Sequence, residues 1–338
     1  MHAAVVSSFD SPPRCADVPE PVAQGDDQLV VEVLAAGLHP RVRSQANGSH
    51  YTSTDALPLV PGIDGVGRDP EGRLRYFVMF DTPLGSFAER TAIDRRRSVV
   101  LPDDADPVTL AAAMNPAMSA WIALRRRIGF AAGQSVLVLG ATGNAGRLAI
   151  EVARLLGAGR VVAAGRDAAK LAALPADAIV RLGEMSGGDA SGGGASSAGA
   201  AASGAAAPGA SSAGAAASGA AADVDVVLDY LWGEPAAQAM AALVRARADR
   251  GRPLTWVQIG SVAGPTAAIP SAALRAARLQ LVGSGQGSVP TAEIVAELPA
   301  LAKAVAGLGI DAQPWPLADV ERAWTEAATS ARRIVITP

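Results

Sequence analysis

The sequence predicts an α/β protein with two domains, and three observations support this prediction. From about residue 119 onward, apolar strand segments alternate with helical segments, as expected for a parallel sheet with helices on both faces. Residues 1–118 instead show short strand candidates separated by turns. A length of 338 residues also favours two domains over one.

The first region contains strand candidates at 28–38 and 74–80, and a turn into an edge strand is expected at 81–90. A helix is expected to start within DDADPVTLAAAM, which begins at Asp103. Acidic residues favour the positive end of the helix dipole, so this segment is typical of a helix start.

The second region alternates apolar runs typical of buried strands with helices that carry an apolar stripe. The predicted strands span 134–140, 160–165, 177–183, 224–231, 254–261 and 278–285, and a helix is predicted at 146–159. The chain ends with a predicted helix, TAEIVAELPALAKAVAGLG, and a terminal strand, RRIVITP.

An Ala/Gly/Ser-rich stretch from Ser186 to Ala222 interrupts the second region as a tandem duplication. The segment GASSAGAAASGAAA occurs at 194–207 and again at 209–222. The stretch lacks large apolar side chains, so ordering it would not offset the entropy cost. We predict a flexible surface insertion at 186–222 that has no function of its own and can be shortened without loss of activity.

Composition excludes several function classes. The net charge of −3 with no strongly basic region argues against nucleic acid as a partner. The single cysteine, Cys15, cannot form an internal disulfide. The N-terminus does not resemble a signal peptide, and no uncharged apolar run is expected to approach the about 18 residues of a membrane helix. A cytoplasmic protein without a membrane partner is expected.

The segment VLVLGATGNAG predicts a dinucleotide site, because a glycine turn follows a strand and opens a helix. Ala141-x-Gly143-x-x-Gly146 matches the fingerprint with Ala at its first position. Small residues let a pyrophosphate approach the backbone, and the helix N-terminus adds its N–H groups and dipole. The alternative is a plain tight turn. The expected cofactor-binding residues here are Ala141, Thr142, Gly143, Asn144, Ala145 and Gly146.

The end of the next strand predicts which cofactor binds. An NAD site places an Asp or Glu there to accept from the ribose hydroxyl. This chain offers Arg166, whose guanidinium can grip a 2′-phosphate, and Lys170 lies one helical turn further. Asp167 is the competing candidate for the ribose, although its position suits a helix N-cap. These residues favour NADPH.

Several segments, in the same order, resemble the medium-chain dehydrogenases/reductases, in their zinc-independent quinone oxidoreductase and enoyl reductase branch. AAGLHPRVRSQANG is similar to AAGINPVDWKIRSG, LPLVPGIDGVG to P-x-x-P-G-x-E-x-A-G, and MNPAMSAWIAL to x-N-P-x-T-A-Y-x-x-L. The later segments VDVVLDYLWG, WVQIGSVAG, WPLADVERAW and RRIVITP match as well, so the resemblance covers nearly the whole chain.

The resemblance implies a GroES-like β-barrel catalytic domain, a Rossmann cofactor domain and an active-site cleft between them. The barrel domain would comprise 1–118 with 286–338. The Rossmann domain would comprise 119–285 and contain the 186–222 insertion. A homodimer is the expected assembly.

The resemblance also allows each zinc-ligand position of the zinc-dependent relatives to be compared with this sequence. Zinc-dependent relatives read G-x-C-H-x-D where this chain begins Gly37-Leu38-His39, and G-H-E where it reads Gly62-Ile63-Asp64. The third ligand position falls near Asn115. Because a catalytic zinc needs three protein ligands, no metal is expected. His39 is then either a polar wall of the cleft or a hydrogen-bonded core histidine.

Without a metal, a side chain or water must protonate the reduced substrate. Relatives often carry a Tyr in an S-G-x-Y loop, which here reads Asn47-Gly48-Ser49-His50-Tyr51. Tyr51 is the first candidate donor, His50 is the alternative by direct counting, and both could instead be ordinary loop residues. Ser119 matches the Thr that contacts the nicotinamide end. Gly260, Ser261, Gly283 and Ser284 are expected along the carboxyl edge of the sheet, where cofactors lie.

Three functions remain open from these residues. The leading prediction is an NADPH-dependent, zinc-independent reductase of a small-molecule quinone or activated alkene. The second is a reductase of aldehydes or ketones. The third is a nucleotide-binding protein without turnover that acts as a redox sensor or structural subunit.

Overall fold

The structure is a computed structural model that describes residues 1–50, 53, 56–79, 82–185, 219 and 221–338. The chain divides into two compact units. The first unit comprises Met1–Arg127 and Gln286–Pro338, and the second comprises Ile128–Gly285. The change of unit therefore follows Arg127, whereas the sequence-based expectation set it after residue 118.

The strands of the described residues are β1 (His2–Val5), β2 (Arg14–Asp17), β3 (Gln28–Gly37), β4 (Asp64–Arg68), β5 (Leu74–Val78), β6 (Arg90–Asp94), β7 (Ser98–Val100), β8 (Ser135–Leu139), β9 (Arg160–Gly165), β10 (Ala178–Arg181), β11 (Val226–Asp229), β12 (Leu254–Gln258), β13 (Leu279–Gly283), β14 (Ala312–Pro316) and β15 (Arg333–Thr337). The helices are α1 (Pro40–Ala46), α2 (Pro107–Ile122), α3 (Asn144–Leu155), α4 (Ala168–Ala172), α5 (Leu182–Met185), α6 (Gly233–Ala246), α7 (Ser271–Arg275), α8 (Thr291–Val305) and α9 (Val320–Glu326).

The second unit is a doubly wound Rossmann-type domain. Its six strands pair in parallel, in the order β10-β9-β8-β11-β12-β13. Numbered within the unit, this is the order 3-2-1-4-5-6, whose switch point lies between β8 and β11. All six strands predicted for this region are confirmed, and β9 has the predicted bounds. Their apolar runs form a core that contains the fully buried Trp256.

The first unit contains a sheet that is antiparallel except for the β14–β15 pair. Strand β3 pairs with β4 along one edge. Along its other edge, β3 pairs with β6 in its first half and with β15 at its end. Because β15 lies at the end of the chain, the C-terminal segment completes the sheet of the N-terminal unit, as the resemblance implied. The predicted fold class is thus confirmed.

Helix α2 begins where the acidic segment predicted a helix start. The side chain of Asp106 caps it by accepting from the backbone N–H groups of Val108 and Thr109, at 3.2 and 3.1 Å. This cap satisfies two of the donors that a helix start leaves without partners.

Helix α2 also corrects one expectation. The helical stretch Pro107–Arg127 is long and apolar enough, by length and composition, to cross a membrane, so the expectation that no such run exists is wrong. However, 67% of its apolar window is buried inside the protein. It packs on β3, β4 and α8, so burial within the fold explains its apolar composition.

The predicted insertion at 186–222 lies almost entirely outside the described residues, but its C-terminal bound is wrong. Ala221 and Ala222 are buried, and Ala222 accepts a hydrogen bond from the Arg247 guanidinium at 2.8 Å. The last two residues of the duplicated segment therefore belong to the core of the second unit, and a shortened chain should retain them.

Candidate functional site

The glycine turn joins β8 to α3 at the switch point of the parallel sheet. Gly140 has a φ of +84°, a conformation that favours glycine. A Cβ atom on Gly146 would lie 2.3 Å from the Gly140 carbonyl oxygen, so only glycine allows α3 to pack this closely on the turn. The predicted fingerprint begins one residue later and omits Gly140, although this glycine stands directly before it.

The N-terminus of α3 leaves its backbone donors accessible to a ligand. Gly143 is the N-cap residue and supplies no side-chain cap, and Arg147 donates its backbone N–H to the Gly143 carbonyl at 2.9 Å. The first turn of α3 therefore carries N–H groups without side-chain partners beside the positive end of the helix dipole. This arrangement suits an anion such as a pyrophosphate, and it contains the predicted residues 141–146.

The acidic and basic residues that could select between NADH and NADPH lie just after β9, and they have different surroundings. Asp167 is the N-cap of α4, and its carboxylate accepts from the backbone N–H groups of Ala169 and Lys170 at 3.0 and 3.1 Å. The helix-cap interpretation of Asp167 is therefore confirmed. Arg166 and Lys170 are exposed, and within the described residues the Arg166 side chain makes no ion pair. A Cβ atom on Gly165 would lie 3.1 Å from the Cγ2 of Thr142, so the glycine leaves room for the Thr142 side chain.

The four residues predicted along the carboxyl edge lie there. Gly260 and Ser261 follow β12, Gly283 is the last residue of β13, and Ser284 follows it. The Ser284 backbone N–H donates to the Gln258 carbonyl at 2.8 Å. A Cβ on Gly260 would lie 2.8 Å from the Tyr230 carbonyl oxygen, so the loop after β12 packs closely on the loop after β11.

Asp229, which the sequence pattern did not single out, ends β11 on the other side of the switch point. Its buried carboxylate accepts from the backbone N–H groups of Leu231 and Trp232 at 2.8 and 3.0 Å, and from the Trp256 indole at 3.0 Å. Burial raises the pKa of Asp229, against the lowering effect of these hydrogen bonds. Trp232 has a φ of +52°, which is rare for a bulky residue. Asp229 therefore fixes a strained loop that lines the glycine turn.

Replacing Asp229 with Asn should lower the free energy of unfolding by about 1–2 kcal/mol. The amide oxygen can still accept from the Leu231 and Trp232 N–H groups, but the amide nitrogen then faces the Trp256 N–H, which loses its acceptor. Chemical denaturation measures the change, with the exposed Asp249→Asn as the control. Equal losses in both variants would contradict this role for the Asp229 carboxylate.

The first unit holds a chain of buried polar side chains. His39 Nε2 lies 3.1 Å from Asp64 Oδ1, and the Tyr76 hydroxyl donates to Asp64 Oδ2 at 2.9 Å. All three residues are at most 3% exposed. Asp64 opens β4 and Tyr76 lies on the neighbouring strand β5, diagonally opposite across the pair. The core-histidine interpretation of His39 therefore gains a specific partner, 25 residues away in sequence.

Two arginines add positive charge near the buried side chains of His39, Asp64 and Tyr76. Burial lowers the pKa of Arg333 to about 10, while the charge of Asp64 opposes the shift. Burial also lowers the pKa of His39; Asp64 raises it, and Arg333 and Arg41 lower it further. The pKa of the Tyr76 hydroxyl is raised well above its usual value by burial and by Asp64.

Two of the remaining candidates of the first unit, His50 and Ser119, belong to the described residues. Tyr51 falls outside the described residues. The His50 backbone N–H donates to the Ser44 carbonyl at 3.0 Å, and burial together with the charge of Arg41 lowers the pKa of its imidazole. Ser119 lies on α2, in the first unit, and its hydroxyl donates to the Pro116 carbonyl at 2.6 Å.

The residues at the zinc-ligand positions do not fit a catalytic zinc. Across the described residues, no three His, Cys, Asp or Glu side chains are grouped as a metal site. The second position holds the buried, apolar Ile63, which cannot coordinate a metal. A zinc needs three protein ligands and an open position.

Comparison with known proteins gives one relative over the full chain and others over part of it. No protein-family model matches the chain. The probable NADPH-dependent quinone reductase tdiC of Emericella nidulans is 31% identical over 384 aligned residues, covering 100% of both chains. The chloroplastic NADPH-dependent alkenal/one oxidoreductase of Arabidopsis thaliana is 31% identical over 158 residues, which cover 41% of this chain and 40% of that protein.

A solved structure extends the comparison to the fold. The quinone oxidoreductase from Thermus thermophilus, solved also as a complex with NADPH, covers 100% of both chains with a TM-score of 0.73 and 24% identity. This likeness defines the structural class: a Rossmann-type domain joined to a unit built on a largely antiparallel sheet. With the full-length relative at 31% identity, the chain belongs to the medium-chain dehydrogenase/reductase superfamily, in its quinone oxidoreductase-like branch.

Proposed function

We propose that this protein is an NADPH-dependent, zinc-independent oxidoreductase that reduces a small-molecule quinone or an activated alkene. The observation that carries the proposal is the full-length likeness to a probable NADPH-dependent quinone reductase. The alkenal/one oxidoreductase extends the substrate class to enones. The relatives support this function and not the aldehyde or ketone alternative.

The second unit would hold the cofactor, which supplies a hydride when bound. The backbone from Gly140 to Gly146 and the N-terminus of α3 would bind the pyrophosphate. Arg166 and Lys170 would bind the 2′-phosphate, and the engaged carboxylate of Asp167 supports this preference. Gly260, Ser261, Gly283 and Ser284 would line the nucleotide along the carboxyl edge, and Ser119 would contact the nicotinamide end.

The first unit would supply the proton. We place the substrate-binding and proton-donating residues in the GroES-like unit formed by Met1–Arg127 and Gln286–Pro338. The donor candidates are Tyr51 and His50, with water as the alternative, and His39 is a further candidate for the catalytic site. A quinone needs little assistance because its reduced anion is stable, whereas the enolate from an enone needs a stronger proton donor.

The proposed assembly is a cytoplasmic homodimer. In the described part of the chain, β13 pairs with one strand, β12, and is therefore an edge strand of its sheet. Leu281 on this strand is 36% exposed. A second copy of the chain that pairs along this strand would cover its side chain.

The proposed reaction is tested by NADPH oxidation with one quinone, one enone and one simple aldehyde. Turnover of the quinone or enone without the aldehyde is expected, and activity should survive prolonged chelation because no zinc takes part. Turnover of the aldehyde alone would favour the second candidate function. No turnover of any substrate would favour a binding protein, and one tightly bound zinc per chain would contradict zinc independence.

Replacing Tyr51 with Phe should slow enone reduction at least about tenfold and change quinone reduction little, if Tyr51 donates the proton. His50→Ala is the paired variant, because the two residues compete for one position in the loop. Steady-state rates with both substrates measure the effect. A selective loss in His50→Ala alone would assign the position to His50, and no selective loss in either variant would remove both from the donor role.

A further inference from the structure

The polar chain Tyr76–Asp64–His39 is buried where apolar side chains would pack at lower cost. Burying a polar group costs free energy unless it is hydrogen-bonded, and paired buried charges often stabilise less than apolar residues of similar volume. Tyr76 and Asp64 are fully buried, and His39 is 3% exposed. Such an arrangement on neighbouring strands indicates a task beyond packing, because perturbed titratable groups cluster at functional sites.

The geometry leaves one ring nitrogen of His39 for a ligand. Nε2 is engaged by Asp64 at 3.1 Å. Although His39 is the N-cap residue of α1, its side chain does not cap the helix, and Nδ1 makes no hydrogen bond within the described residues. A histidine whose second nitrogen is held by a carboxylate has a fixed ring orientation and tautomer.

We propose that His39 Nδ1 donates the proton that completes substrate reduction, and that Asp64 and Tyr76 are the positioning residues that fix its ring and charge. This inference rests on the proposed function. It assigns the proton to His39 rather than to Tyr51, His50 or water, and it adds Asp64 and Tyr76 as positioning residues.

The proposed step moves one proton from His39 to the reduced substrate. A substrate that has accepted a hydride is an enolate, or a hydroquinone monoanion. The N–H bond at Nδ1 of the His39 imidazolium breaks, and its proton forms the new C–H bond of the saturated ketone or the O–H bond of the hydroquinone. The neutral imidazole then regains a proton from water while Nε2 keeps its hydrogen bond to Asp64.

The charges around His39 determine in which direction each substitution shifts its pKa. Burial lowers the pKa of His39, so the donor form is lost as pH rises through a value below the usual one. Asp64 favours the imidazolium, whereas Arg333 and Arg41 disfavour it. The Tyr76 hydroxyl donates to Asp64 and so weakens its attraction for the ring. Removing the Asp64 charge should lower the pKa of His39 further, and removing the Tyr76 hydroxyl should raise it.

The test compares Asp64→Asn and Tyr76→Phe in the full-length protein. The imidazole of His39 is titrated by NMR without cofactor, and its resonance is assigned with His39→Gln among the three histidines of the chain. We expect opposite pKa shifts in the two variants and matching shifts in the pH profile of enone reduction. Asp64→Asn should also slow enone reduction at least about tenfold at neutral pH.

Asp69→Asn is the matched control. Asp69 is another buried carboxylate of the first unit, but its charge partners are Arg73 and Arg75, at 2.9 and 2.6 Å, rather than His39. Its removal should leave the titration of His39 in place. If Asp64→Asn does not fold, the direction of the shift in Tyr76→Phe decides alone.

Three results would overturn the proposal. An unchanged His39 titration in both variants removes the positioning role. Shifted titrations with an unshifted pH profile remove the proton-donor role. If the unaltered protein reduces neither quinone nor enone, the proposed function fails and the donor role fails with it, whereas the NMR titration still reports whether Asp64 controls His39.

Discussion

Replacing Gly146 with Ala is expected to weaken NADPH binding about 100-fold or more, which corresponds to about 3 kcal/mol. The new Cβ would lie 2.3 Å from the Gly140 carbonyl oxygen and 2.8 Å from the Ala141 Cα, and both are backbone atoms. Neither can rotate away as a side chain would. Helix α3 must therefore separate from the turn, and the N–H groups at its N-terminus move out of place.

A binding titration with NADPH measures this loss, and thermal unfolding measures the accompanying loss of stability. Gly183→Ala is the control, because a Cβ there has no heavy atom within 4 Å and the backbone is not in the left-handed region. This variant should bind NADPH as the unaltered protein does. Normal binding by Gly146→Ala would mean that the turn does not cradle the cofactor.

Replacing Arg166 with Ala should weaken NADPH binding by about 1–3 kcal/mol, or roughly five- to 150-fold, and leave NADH binding nearly unchanged. The guanidinium is exposed at the carboxyl end of β9, and Asp167 beside it is engaged on the backbone of α4. A 2′-phosphate would therefore meet a cation, whereas Oδ1 of Asp167 already accepts from two backbone N–H groups of α4. Fluorescence titration with the two cofactors measures the difference.

Arg160→Ala removes the same charge from the opposite, amino end of the same strand. It should affect NADPH and NADH equally and weakly, since long-range attraction between exposed charges is screened by salt. Lys170→Ala should give a smaller selective loss than Arg166→Ala, because a lysine cannot bind the phosphate through two parallel hydrogen bonds. Equal losses for both cofactors in Arg166→Ala would refute the assignment of the 2′-phosphate to this residue.

Local pattern in the sequence was sufficient for the Rossmann-type unit. Strand β9 has the predicted bounds, and the helix cap at Asp167 follows from residues only two and three positions away. The fingerprint at Ala141, Gly143 and Gly146 is likewise a short-range pattern. Such features are determined by sequence because apolar periodicity and capping depend on neighbours along the chain.

Only the tertiary structure decided which distant polar groups meet. Asp64 reaches Tyr76 because β4 and β5 pair in one register, and it reaches His39 because β3, which His39 follows, pairs with β4. Asp229 reaches Trp256 because β11 and β12 pair in one register. A shift by one residue would turn each side chain to the other face. The same holds for the apolar helix α2, whose composition alone fits a membrane and whose burial is decided by the strands packed on it. Register and packing depend on the whole folded chain, so no local pattern in the sequence could determine them.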